Sequence, residues 1–354
     1  MKPAPEPPAE LLLGRPEFGG DLAEAAAFAR DRRVLVTGAA GSVGTPLARV
    51  LAEAEPARLL LVDHHEYSLF RLERASPPSP RVSHELADVR DTARMRRMFE
   101  HERPEIVFHL AAAKHVPYGE RFVEGAIATN VLATAELLEL ARATAVERFV
   151  YPSSDKSVQP PALYGATKRV AEALLQHYAG VAAEWSVVRF VNIIGTRGSV
   201  IEIFTEQILD DRLLSVTDER MTRYWISMRE ALWSLLSAAA CGRGGQVLMP
   251  ACGAPVPIVE TARRLAGWYR PDRVPYPICS TGTRPGERLH EVLLSDNEWF
   301  QPGPVNGLKT VCSRRGPAPV QALPAAVADL RMLVDAGERD ELRRRSLALA
   351  EALQ

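Results

Sequence analysis

The chain has 354 residues, long enough to bury a sizeable core in one large domain or two linked ones. It is 47% hydrophobic and 25% charged with a net charge of −1, and no basic stretch alternates with aromatics, which argues for a globular fold and against nucleic acid as the main partner. Its cysteines, Cys241, Cys252, Cys279 and Cys312, make no Cys-x-x-Cys pair, and the most apolar run, 231–241, is too short to cross a bilayer. A cytoplasmic location is expected, with no membrane partner and no metal site.

Residues 1–10 are Pro-rich and expected to be mobile. Asp21 with Glu24 three residues on reads as a helix start, and the helix runs to Arg30. A compact strand follows from Arg33 to Thr37, ending in glycines, and then a helix from Val43 to Glu53. Arg58 to Asp63 reads as a strand buried on both faces, because it lacks polar alternation. Ser76 to Pro80 is a surface loop. Thr92 to Glu102 is helical, Ile106 to Leu110 a strand, and Gly125 to Thr144 one long helix. Arg148 to Tyr151 is a strand, Tyr164 to Tyr178 a helix and Trp185 to Phe190 a strand. Alternation of this kind predicts a Rossmann-like, doubly wound parallel sheet of the α/β class. After Gly195, Pro and Gly become dense, and this part is expected to cover a ligand at the carboxyl edge of the sheet. The expected division is an extension over 1–31, a dinucleotide-binding domain with the catalytic residues over 32–195, and a smaller substrate-binding region with C-terminal helices over 196–354.

Two motifs carry chemistry. Gly38, Gly41 and Gly44 lie between a strand and a helix, where glycines admit a pyrophosphate to the helix N-terminus. Asp63 ends the next strand, 19 residues after Gly44. It can accept hydrogen bonds from a ribose, which favours NAD over its 2′-phosphate form, or it can simply cap the strand. Asp88 and Val89 either meet the adenine or cap a loop. The second motif is Tyr164 with Lys168, on one helix face at i and i+4. An ammonium near a phenol favours phenolate, which can take a proton from a hydroxyl while hydride leaves the carbon. Alone, a Tyr-x-x-x-Lys is usually a core Tyr with a snorkelling Lys; after the fifth strand of a dinucleotide fold it reads as catalytic.

With Ser154-Asp155-Lys156, Tyr164-Gly-Ala-Thr-Lys168, His109 to Pro117, Asn192 to Val200, Met221-Thr-Arg223 and Arg284-Pro-Gly-Glu287, the chain resembles the extended short-chain dehydrogenase/reductases. Within them it is similar to the UDP-N-acetylglucosamine 4,6-dehydratases of polysaccharide biosynthesis, the CapD-like group, over roughly residues 32–295. The resemblance implies C4 oxidation by Tyr164 and Lys168, removal of the C5 proton by Lys156, and protonation of the C6 hydroxyl by Asp155. Ser154 would bond O4, and hydride would return to C6. Lys156 then needs a depressed pKa, and Asp155 should be held protonated by burial. For the cofactor, the resemblance adds Ser42, Val43, His64, Leu110, Ala111, Ala112, Lys114 and Asn130. For a UDP-sugar it implies Lys114, His115, Asn192, Arg197, Val200, Thr217, Arg223, Arg284 and Glu287, the arginines toward the diphosphate. It also implies a homo-oligomer, a dimer or higher, paired through the two long helices, with Leu11 to Arg30 adding contacts between subunits. Many membrane-anchored relatives have Met in place of Tyr164, while Leu11 to Pro16 resembles their segment before the catalytic domain. That mixture leaves the C5 stereochemistry open. A UDP-sugar 4-epimerase, which does not need Asp155 and Lys156, and a non-catalytic nucleotide-sugar-binding protein are the competing readings.

Overall fold

The computed structural model describes residues 5–180, 183–283, 286–314 and 322–354. Nine strands form one sheet. Six come in chain order: β1 Arg33–Thr37, β2 Arg58–Asp63, β3 Val82–Leu86, β4 Ile106–His109, β5 Arg148–Ser154 and β6 Glu184–Phe190. All six are parallel, in the spatial order β6-β5-β4-β1-β2-β3. The order reverses between β1 and β4, so their carboxyl ends open a crevice there. β1 and β2 bury nearly every residue under helices on both faces, as the unbroken apolar runs require.

The chain does more after Gly195 than cover the carboxyl edge. Strand Gln246–Pro250 joins β6 in parallel, and Leu308–Ser313 and Glu298–Pro302 extend the sheet antiparallel. A second core gathers Phe204, Ile208, Leu214, Trp225 and Leu265. It is built on helices Val200–Leu209 and Ile258–Tyr269 and on small two-stranded pairings. The N-terminal extension ties the two cores. Its first helix, Ala9–Leu13, begins inside the stretch expected to be mobile, and Leu12 and Leu13 enter the second core. Arg15 pairs with buried Glu230 at 2.5 Å. Asp21 caps helix Leu22–Ala26, as its spacing predicts, and this helix packs on helix Met228–Cys241. The extension expected to bridge subunits is thus folded onto its own chain.

The single helix expected over 125–144 is interrupted. Val123–Ile127 is α-helical, Ala128–Leu132 is a π turn, and Ala133–Ala143 resumes the α-helix. The helix expected to carry the catalytic pair, Leu163–Ala179, is buried along most of its length. Helices Ala322–Ala336 and Arg339–Ala352 fold back as a hairpin, the second lying along the catalytic helix. Leu330, Leu342 and Ala350 are buried in this contact region, and Arg343 pairs with Glu120. The apolar faces of the two helices named for subunit pairing are largely buried within the chain. Among the described residues, no helix is long and apolar enough to cross a membrane.

One buried charge network locks the sheet to the catalytic helix. Arg189 on β6, fully buried, donates to Glu172 on the helix and to Glu298 on the edge strand, each at 2.9 Å. Burial pushes the Glu172 carboxyl up, but Arg189 and Arg169 outweigh it and hold it down at about 2. Its stabilising contribution is therefore fully present above the unfolded carboxylate value of about 4.3 and is lost as pH falls toward 2. Arg189→Ala leaves two buried carboxylates short of their cation and should cost about 3–5 kcal/mol. Denaturant unfolding at pH 7 checks this; an unchanged midpoint would show that the network contributes nothing.

Candidate active site

A cavity of about 1410 Å³ runs from the β1–β4 crevice to the second core. That exceeds the ~300–1,000 Å³ usual for one small-molecule site, so there is room for two ligands. The glycine turn forms one arm. Gly38 has φ +66°, and a Cβ there would press on the backbone of Ala111. A Cβ on Gly44 would collide with Gly38 O. These two positions keep the turn tight, and the helix N-terminus faces the arm. Asp63 both caps and lines. It accepts from Ala40 N at 3.0 Å and from His65 N at 2.9 Å while facing the cavity. Ser42, Val43, His64, Leu110, Ala111, Ala112 and Val89 line the same arm. Asp88 lines it too, with its carboxylate forked onto Arg90.

β5 delivers the second group. It ends at Ser154, and Asp155–Ser157 form a 3₁₀ turn against the catalytic helix. A Cβ on Gly165 would overlap Lys156 O, so the residue after Tyr164 must be small for helix and turn to meet. Ser157 Oγ donates to Glu172 at 2.8 Å, which joins the turn to the charge network. Tyr164, Lys168, Ser154 and Lys156 all line the cavity. Asp155 does not. It is fully buried, its Oδ1 accepts from Ser154 Oγ at 2.9 Å and from Lys156 Nζ at 3.1 Å, and its Oδ2 has no partner among the described residues.

The electrostatics differ from those expected. Burial pulls Lys156 down, but Asp155 and Glu291 outweigh it and hold its ammonium above the ordinary lysine range. The two carboxylates outweigh the one nearby cation, Arg223, which pulls the other way. Burial pushes the Tyr164 phenol up, while Lys156 and Ser154 pull it down. The cation acting on this phenol is Lys156; Lys168 instead donates to Tyr151 OH at 3.0 Å and Pro152 O at 2.8 Å. Burial lowers Lys168 to about 7, against the pull of Glu172.

Other expected residues divide. Asn192 lines the cavity and accepts from Lys156 at 3.5 Å. Asn130 is not on the wall. From the π turn it accepts from Ala113 N at 2.8 Å and donates to Thr167 Oγ1 at 3.0 Å, bracing the loop after β4 against the catalytic helix. Arg197 lines the cavity beside the glycine turn: it donates to Ala40 O at 2.6 Å and Ser68 Oγ at 3.3 Å, and its N–H to Ser42 Oγ at 3.0 Å. Lys114 donates to Arg197 O at 2.9 Å, and His115 lies against Gly198. Val200, Thr217 and Glu287 line the other arm, and Glu287 Oε2 is buried without a partner among the described residues. Arg223 lines it as well, donating to the carbonyls of Thr222, Arg288 and Leu289 and placing its Nε 3.6 Å from Glu291 Oε1. Arg284 falls outside the described residues. Two members of the site carried no motif: Tyr151, with its hydroxyl on Lys168, and Glu291, with Oε1 3.2 Å from Lys156 Nζ.

Residues 34–311 match the family described as polysaccharide biosynthesis protein. The chain is 38% identical over 297 residues to the probable polysaccharide biosynthesis protein EpsC of Bacillus subtilis (strain 168), covering 82% of this chain and 49% of that protein. It thus spans about half the length of that relative. It is 30% identical over 273 residues to the UDP-N-acetylglucosamine 4,6-dehydratase (inverting) of Campylobacter jejuni, covering 75% of this chain and 78% of that one. Among solved structures, Pen from Bacillus thuringiensis has a TM-score of 0.73 at 26% identity, covering 82% of this chain and 89% of that one.

The contact at Gly165 makes a prediction with a built-in control. Gly165→Ala should destabilise by about 1–3 kcal/mol through overpacking. Gly125→Ala, where nothing lies within 4 Å of a new Cβ, should be neutral or stabilising by up to about 1 kcal/mol as helix propensity favours Ala. Thermal unfolding of both variants gives the two signs.

Proposed function

We propose, starting from the fact that this chain belongs to the polysaccharide biosynthesis protein family, that it is an NAD-dependent nucleotide-sugar 4,6-dehydratase acting on UDP-N-acetylglucosamine or a close analogue. The observation that carries this reading is the meeting of Tyr164 and Lys156 on one cavity wall, across Ser154 and beside the glycine turn. An oxidising pair alone would serve an epimerase; a second amine beside it, held by carboxylates, supports an added proton transfer at carbon.

The cofactor arm fits a dinucleotide. The cradle at Gly38 and Gly44 closes if a Cβ is added, and Asp63 faces the arm from the end of β2. NAD, when bound, supplies a hydride acceptor for C4 and a donor for C6. The chain's residues do the rest. Tyr164 takes the O4 proton, with Ser154 beside it. Lys168 lies next to Tyr164's helix turn with part of its donor capacity spent on Tyr151 and Pro152, which fixes its Nζ against the arm. Once C4 is a ketone, the C5 proton is acidic, and Lys156 removes it. The elimination of water then needs a proton for O6, and the carboxyl groups held on Lys156 are its nearest source.

Incubation with UDP-N-acetylglucosamine should give a product lighter by one water, with a new C6 methyl signal by NMR. An isomer of unchanged mass would instead identify a 4-epimerase. Lys156→Ala should still reduce the cofactor, seen as transient NADH absorbance, yet lose C5 exchange with deuterated solvent and slow dehydration by about 10²–10⁴-fold. Near-normal dehydration by this variant would remove the reason for choosing the dehydratase.

Asp63 generates a separate prediction. A 2′-phosphate would meet its carboxylate, so NAD should bind more tightly than NADP, and Asp63→Ala should narrow that preference. Equilibrium binding measures both; tighter NADP binding by the unmodified protein would overturn the assignment.

A further inference from the structure

Lys156 presents a difficulty. A base must be a free amine when it meets C5, yet this lysine sits between two carboxylates, 3.1 Å from Asp155 and 3.2 Å from Glu291. A third contact, Asn192 Oδ1 at 3.5 Å, cannot take a proton. The other charged or titratable groups facing it are Arg223, whose Nε also lies 3.6 Å from Glu291 Oε1, and Tyr164. In the intact site the two carboxylates are the nearest acceptors for that proton; with one anion removed, Lys156 can release it to solvent.

The two are not equivalent. Asp155 is sealed in the interior and has no part in the cavity wall. Its Oδ1 already accepts from Ser154 and Lys156, and its Oδ2 is buried without a partner among the described residues. Glu291 lines the cavity with its side chain only 4% exposed, and its Oε1 points at Lys156. The segment that carries it is clamped on both sides. Thr222 N donates to Leu289 O at 2.9 Å, Arg223 donates to the carbonyls of 288 and 289, and Arg288 donates to Val158 O and Gln159 O just past the catalytic turn. Gly286 lies against Ala162, where an added Cβ would crowd the start of the catalytic helix. This is a rigid placement, of the kind that acid–base chemistry needs.

We propose that Glu291 is a further catalytic residue, which takes the proton from Lys156 and delivers it to the departing C6 oxygen. The proposal rests on the 4,6-dehydratase reading and deepens it. When substrate displaces water, the ion pair loses solvation, and transfer of one proton from Lys156 to Glu291 gives a neutral amine beside a neutral acid. In the elimination, the C5–H bond breaks and its proton forms a new N–H bond on Lys156. The electron pair becomes the C5–C6 double bond. The C6–O bond breaks with its electrons on oxygen, which takes the Glu291 proton and leaves as water. Lys156 is then an ammonium and Glu291 a carboxylate, the ion pair present in this structure. When C6 is reduced, Lys156 returns a proton to C5, and the proton that Tyr164 took from O4 restores the count. Asp155 is then a positioning residue that fixes Ser154 and Lys156.

The test separates three readouts with UDP-N-acetylglucosamine: transient NADH, C5 exchange in deuterated solvent, and release of dehydrated product. Glu291→Gln should keep the first two and lower the third by about 10²–10⁴-fold. Its C5 exchange should also move to lower pH, because Lys156 has lost one of the anions that stabilise its ammonium. Glu291→Asp keeps a carboxyl, should recover part of the dehydration, and serves where Gln perturbs folding. Asp155→Asn should slow exchange and dehydration in parallel. The proposal is overturned if Glu291→Gln dehydrates normally, if it loses all three readouts together, or if Asp155→Asn is the variant that exchanges without dehydrating. An unmodified protein that forms no NADH would overturn the dehydratase reading itself, and the proposal with it.

Discussion

The carboxylate of Glu172 is where the parts of this molecule are joined. It accepts from Arg189 on β6, from Arg169 on its own helix and from Ser157 at the end of the catalytic turn. Arg189 carries the connection on to Glu298 in the edge strand, and Arg169 donates to Leu353 O at the end of the C-terminal hairpin. Two buried carboxylates and two guanidiniums would be costly singly; together each satisfies the others. The catalytic turn is therefore set by a network that reads the position of the sheet, the catalytic helix and the C-terminal hairpin at once.

The placement of Lys156 follows from this. Glu172 fixes Ser157, Gly165 lets the catalytic helix touch the Lys156 backbone, and the side chain can then project only into the cavity. The segment 286–291 closes over it, held by Arg223 and Arg288. Arg288 holds backbone, and Arg223 holds backbone while its Nε lies 3.6 Å from Glu291. Arg197 is also engaged, on the glycine turn. These cavity-lining arginines act as clamps that bring distant segments to the cavity.

What the sequence revealed and what it hid divide along contact range. The glycine turn and five of the six parallel strands depend on local periodicity and on glycines whose neighbours lie within a few residues or on the adjacent strand, and they read close to their observed bounds, whereas β3, with its polar Ser83, His84 and Glu85, gave no strand signal. Strands β1 and β2 match the predicted bounds residue for residue. Tyr164, Lys168, Ser154 and Lys156 were legible because one β-turn-α unit carries them all. The π turn was not legible, since Asn130 faces Ala113 and Thr167, and nothing in the apolar spacing marks that. The sheet's antiparallel edge lies among Pro and Gly that obscure alternation. Tyr151 looked like one more apolar strand residue, and only the fold puts its hydroxyl on Lys168. Glu291 gave no signal, because its partner is 135 residues away in the chain.

The two cavity lysines show why that distant carboxylate matters. Lys168 makes no ion pair with a carboxylate among the described contacts; burial dominates and brings it to about 7. Lys156 lies against two carboxylates, and they dominate burial in the opposite direction. The same side chain on the same wall is thus loosened in one case and retained as an ammonium in the other. Environments that push like groups apart assign them different work. A lysine eased toward neutrality can follow changes of charge beside it. A lysine held as an ammonium becomes a base more readily when a neighbour accepts its proton. The carboxylate beside it that also faces the cavity is Glu291, on a segment held by Arg223 and Arg288, so this stretch sets the charge around Lys156 as well as forming a wall of the cavity.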